Sequence, residues 1–85
     1  MCILVAGAPA PAALRTISAS GAFLETNARP ALGDSVELRH PEAGAIDATV
    51  RSLGPDGVEL AFPFGEESVA FALAAIAADM SRPSR

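Results

Sequence analysis

Residues 45–62, AIDATVRSLGPDGVELAF, decide the fold class. Ile46, Ala48 and Val50 share one face against Asp47, Thr49 and Arg51, the two-residue period of a half-buried strand. After GPDG at 54–57 the pattern resumes, with Val58, Leu60 and Phe62 together and Glu59 outward. Pro55 suits the second position of a turn and Gly57 its end, so 45–53 and 57–62 read as an antiparallel hairpin.

Outward from this hairpin the same grammar repeats. SVELR at 35–39 sets Val36 and Leu38 against Ser35, Glu37 and Arg39, while CILVA at 2–6 is short and wholly apolar, as a buried strand would be. Turn signals stand at GAPAP (7–11), ASG (19–21), RPALGD (29–34) and HPEAG (40–44). They divide the first half into expected strands at about 2–6, 12–18, 21–26 and 34–39. The last stretch differs. EESVAFALAAIAADM at 66–80 has no turn residue, is rich in alanine, and carries Glu66 and Glu67 where a helix dipole favours negative charge; Arg82 and Pro83 follow. Val69, Leu73, Ile76 and Met80 recur at helical spacing and are expected to cover the open mouth of the sheet. Phe71 falls off that stripe and is expected to face a second molecule, the alternative being that it tucks under the adjacent Pro63–Phe64 segment. The chain thus predicts one mainly β domain over 1–85, a small six-stranded antiparallel β-barrel with a C-terminal helix.

Composition limits function. The formal charge is −4, and the only basic residues are Arg15, Arg29, Arg39, Arg51, Arg82 and Arg85. No basic cluster exists to neutralise phosphates, which argues against a nucleic-acid polymer or an anionic membrane surface as partner. The absence of lysine excludes Schiff-base chemistry and a P-loop. Cys2 is the single cysteine and His40 the single histidine, far apart in sequence, so neither a Cys/His pair nor a metal set is spelled out. Ser18 and Ser20 have no base near them, and adjacent Glu66 and Glu67 diverge on a helix. The expectation is a protein that is not an enzyme and carries no cofactor or metal. The apolar opening MCILVAGAPAPAA has no positive residues before it and is too short to span a bilayer, which needs about 20 apolar residues. A cytoplasmic location is expected.

One stretch asks for more than a turn. RTISASGAFLET at 15–26 places Ser18, Ala19, Ser20 and Gly21 between two apolar runs. Taken in order, TISASGAFLET, ALGDSVEL, ATVRSLGPDGVELAF and a terminal helix resemble the PilZ domain family over roughly residues 12–80. That family's pattern is [D/N]xSxxG, an apolar strand, an xGD turn, a long strand pair ending GV…F, and a closing helix. The resemblance implies a six-stranded barrel and, in many members, a receptor for the bacterial second messenger cyclic di-GMP. It places Ser18 and Gly21 on the motif's Ser and Gly, and Thr16 at the position where the family has Asp or Asn. No two arginines here stand at the spacing of the family's RxxxR segment, and Arg15 is the only arginine near the motif.

These departures can be weighed. A receptor for a ligand with two phosphodiester charges and two guanines wants guanidinium groups, each charged hydrogen bond being worth about 1.5–3 kcal/mol. Replacing a two-point amide or carboxylate contact to guanine by one hydroxyl removes another ~1–3 kcal/mol. Together the losses amount to at least a ~1,000-fold weaker affinity. The sequence therefore favours a PilZ-type module of cyclic di-GMP signalling acting as a protein-interaction adaptor, by a protein partner or by self-association, with weak or no direct messenger binding. The alternatives are a true receptor with an altered site, in which Arg15 and Arg51 substitute for the missing clamp, and a structural barrel subunit of an oligomer.

Overall fold

In a computed structural model that describes residues 1–80, alternating apolar residues close on themselves as a barrel. The strands are β1 (Cys2–Ala6), β2 (Ala8–Ser18), β3 (Gly21–Thr26), β4 (Ser35–His40), β5 (Gly44–Leu53) and β6 (Gly57–Ala61). All neighbours are antiparallel, in the closed order β1-β2-β3-β6-β5-β4. One helix, α1 (Glu66–Met80), follows. The expected stop signals Arg82 and Pro83 lie outside the described residues.

The interior is the set of residues that the period-2 pattern selects. Leu4, Leu24, Leu38, Val58 and Leu60 are fully buried, and Cys2, Val36, Ile46, Val50 and Phe62 join them. Ala12, Ala22 and Ala48 supply the small side chains that a narrow barrel needs between larger ones. Two β-bulges interrupt the ladders, one at Arg15 between Leu14 and Thr16, the other at Arg51 between Val50 and Ser52. Each bulge bends its strand and re-aims an arginine outward.

β2 begins four residues earlier than expected. Pro9 and Pro11, read as turn residues, lie in the strand and pair with Val5 and Ile3. The reversal takes place at Gly7 alone, whose φ of 83° is open to glycine and not to most residues. The prolines fit because of which way they face. Pro11 presents its carbonyl to the Thr26 hydroxyl (2.8 Å), so its nitrogen points to the β3 side, and Pro9, two residues back, points the same way. Pairing with β3 starts only at Ala12, so neither missing N–H is needed.

The helix also turns a different face to the barrel than its large residues suggest. Ser68, Phe71, Ala72 and Ala75 are buried, whereas Val69, Leu73, Ile76 and Met80 are 37%, 63%, 40% and 80% exposed. Both sets have helical spacing, so α1 carries two apolar rows about 120° apart at 100° per residue. The row that wins is the small one. Serine and alanine let the helix axis come close to the barrel mouth, and one large ring fills the opening.

That ring is Phe71, at 4% exposure. It meets Phe62 edge-to-face at 5.9 Å and His40 at 6.3 Å. The expectation that Phe71 faces a second molecule is therefore corrected: it is the plug of the barrel. The rotation of α1 is set at its first turn. Gly65 donates its N–H to the Ser68 hydroxyl (3.0 Å), which in turn donates to the Gly65 carbonyl (3.1 Å), a capping arrangement built by Ser where Glu or Gln is usual.

Phe71→Ala is expected to destabilise by about 3–5 kcal/mol, a large part of the ~4–13 kcal/mol available to a domain of this size. Leu73→Ala, on the exposed row, should change stability by less than about 0.5 kcal/mol. Urea unfolding followed by circular dichroism checks both, and equal effects would contradict this orientation of the helix.

Candidate functional site

The turn carrying the family-like motif lies at the barrel end that α1 covers. Ser18 pairs with Gly21 across a two-residue loop, Ala19–Ser20. No residue of that loop has positive φ, so it is not one of the primed turns that usually join such strands. Ser18 compensates: its hydroxyl accepts the Ser20 N–H (3.2 Å) and lies 3.0 Å from the Ser20 hydroxyl. The Ser20 carbonyl then accepts the Phe62 N–H (2.9 Å), tying the turn to the end of β6.

Gly21 is needed for space and not for an unusual backbone angle. A Cβ at this position would collide with the Leu60 carbonyl of β6, and one at Gly57 with the Leu24 carbonyl of β3. These two glycines lie at opposite ends of the β3–β6 ladder, where the two strands come close. The small residues of the opening motif thus serve a neighbouring strand. The ALGD element is likewise structural. Gly33 has φ 84°, the Asp34 carboxylate accepts the Ala31 N–H (3.0 Å), and Gly33 and Asp34 bond to Val50 of β5.

Thr16, Ile17, Ser18, Ser20, Gly21 and Ala22 do form one wall of a recess, and Arg51 and Glu59 form the other. Sequence reasoning had considered Arg51 but not Glu59, which the β5–β6 register places opposite Ser52, beside Arg51. The recess holds about 170 Å³, below the ~300–1,000 Å³ typical of small-molecule sites. Its charges are also balanced. Arg51 lies 3.9 Å from the Glu59 carboxylate, which also accepts the Ser52 hydroxyl at 3.0 Å. Arg15 does not reach the recess: its Nε and Nη2 both donate to Glu25, the Nε at 2.7 Å. Arg39 bonds Glu37, and Arg29 bonds the Ala28 and Pro55 carbonyls. Each of the four described arginines therefore has an oxygen partner, three by hydrogen bond and Arg51 by an ion pair at 3.9 Å. A phosphate entering the recess would have to draw Arg51 from Glu59 and then share the space with that carboxylate.

His40 is part of the frame. Its Nδ1 accepts the backbone N–H groups of Glu42 and Ala43, both at 3.1 Å, which makes it the acceptor that closes the β4–β5 turn. Among the described residues no three His, Cys, Asp or Glu side chains come together as a metal set, and no helix is long and apolar enough to cross a membrane.

The second candidate surface is the outer row of α1. Phe64, 76% exposed, stands beside Val69, Ala70 and Leu73, and with Gly65 and Glu66 they enclose a groove of about 520 Å³ that is almost wholly apolar. Five large apolar side chains in one region present on the order of 500 Å², at the upper end of the largest patch found on ordinary monomers. The signal for this surface was in the sequence, as the 69/73/76/80 spacing. Periodicity marks an apolar row but does not say which of two rows is covered. Compared with known proteins, the chain matches no family model, no curated protein and no solved structure.

Gly21→Ala should destabilise by about 1–3 kcal/mol through the backbone collision, a fall in Tm of roughly 5–20 °C for a domain of this size. Calorimetric melting checks it. An unchanged Tm would mean that β3 and β6 are not held this close.

Proposed function

We propose that this domain is a PilZ-type binding module that works by protein contact, as a non-catalytic adaptor in bacterial cyclic di-GMP signalling, with weak or no binding of the messenger itself. The observation that carries this reading is the outer row of α1. Val69, Leu73, Ile76 and Met80 with Phe64 stay exposed while the helix buries its small residues. An apolar row that stays this open while the helix is seated on its small residues favours a contact role. The closed barrel supports it too, because every strand already has two neighbours, which leaves only short overhanging margins for strand addition.

The messenger reading has one observation in its favour: Arg51 stands in the same recess as Thr16, Ser18 and Gly21. The neighbouring Glu59 weighs against it. Titration calorimetry with cyclic di-GMP separates the two. The contact reading expects a Kd weaker than about 100 μM, that is, less than ~5.5 kcal/mol of binding free energy. Submicromolar binding abolished by Arg51→Ala and strengthened by Glu59→Gln would overturn it and establish the altered receptor site.

A further inference from the structure

Resting on that contact reading, we infer that the occupant of the outer face of α1 is a second copy of this chain, packed helix to helix in antiparallel sense about a two-fold axis. The exposed row runs 69, 73, 76, 80, a 4-3-4 spacing, which is the seam that one α-helix offers to another. The row is also symmetric about the point between Ala74 and Ala75. A two-fold axis there sets Val69 against the second copy's Met80 and Leu73 against its Ile76, so the same four residues serve both sides. In each pair of side chains a β-branched residue meets an unbranched or γ-branched one.

Three further features fit this pairing. Ala70 and Ala77, both exposed, border the row on the side away from the barrel and allow the two helix axes to approach. The groove between Phe64, Val69, Ala70 and Leu73 lies where the register delivers the second copy's Met80, a flexible side chain suited to filling an irregular hollow. The helix dipoles agree with the direction: antiparallel pairing opposes them, whereas parallel pairing aligns them and sets Glu66 and Glu67 against their own copies. The seam lies about 120° round the helix from the barrel-facing row, so the two barrels stand clear of each other.

The area sets the strength. About 500 Å² of apolar surface from each copy falls short of the ~800 Å² per partner of a standard stable interface, which places the dimer among the weak, concentration-dependent ones. Sedimentation equilibrium between about 1 and 500 μM should show monomer passing to dimer and no larger species, since the two-fold arrangement is closed.

Leu73→Glu, at an exposed position that leaves the fold intact, should weaken dimerisation by at least about 100-fold with an unchanged Tm at low concentration. Cysteine pairing tests the register. Residues 69 and 80 lie about 16 Å apart along one helix, too far for an internal disulfide. The Val69→Cys/Met80→Cys double variant should therefore give a disulfide-linked dimer on mild oxidation, and each single variant should not. Wild-type protein that stays monomeric at 500 μM overturns the self-association while leaving the contact reading to a different protein. A dimer insensitive to Leu73→Glu, or cross-linking by either single variant, overturns the seam or its direction.

Discussion

The contact between Phe71 and the pair Phe62–His40 holds this architecture together. A six-stranded barrel filled by leucines, valines and alanines has an opening at each end, and at one of them the ends of β2, β4 and β6 meet. Leaving Phe62 and the His40 ring at that mouth open to water would forfeit their burial. Phe71 covers both at once. Only one large side chain is needed, and the rest of the buried helix face can be Ser68, Ala72 and Ala75. The close approach these small residues permit then fixes the rotation of α1. That rotation leaves the bulky row facing solvent.

The same economy runs through the barrel wall. Gly21 and Gly57 mark the two ends of the β3–β6 pairing, and at each the partner strand's carbonyl occupies the room a side chain would take. β3 and β6 are far apart in sequence, so this pairing cannot be enforced by a hairpin turn. Close backbone approach at both ends substitutes for that local control. The bulges at Arg15 and Arg51 flank this region on β2 and β5, and both arginines are turned to carboxylates on neighbouring strands, Glu25 and Glu59. Exposed pairs of this kind add only about 0–1 kcal/mol each. Both arginines are thereby paired with a carboxylate.

Much of the barrel was legible because a strand with one wet face writes its period plainly. Val36–Leu38, Ile46–Ala48–Val50 and Val58–Leu60–Phe62 all point inward as their alternation indicates. Three things were not legible, each for a physical reason. Pro9 and Pro11 look like turn residues, and only the absence of a neighbour on one side lets them sit in a strand. The face of α1 is ambiguous because a helix with two apolar rows has no single direction. The role of Gly21 is hidden because its crowding comes from β6, some 40 residues on. For the candidate site, Ser18, Gly21, Thr16 and Arg51 are brought to one recess, but Arg15 is not. The balancing carboxylate of Glu59 comes from the β5–β6 register, which a reading of either strand alone does not give.

The overhanging start of β2 has a consequence of another kind. Ala8–Pro11 extends past the end of β3, so it is a stretch of strand with one side unpaired. Such a margin is where a second chain can add a strand and begin templated aggregation. Pro9 and Pro11 both turn donorless nitrogens to that side. An incoming strand would find the Pro11 carbonyl already engaged by Thr26 and no N–H at alternate positions to bond. Two residues that look like punctuation in the sequence thus act as guards on the sheet margin, keeping a small and strongly apolar chain from fibrillar growth.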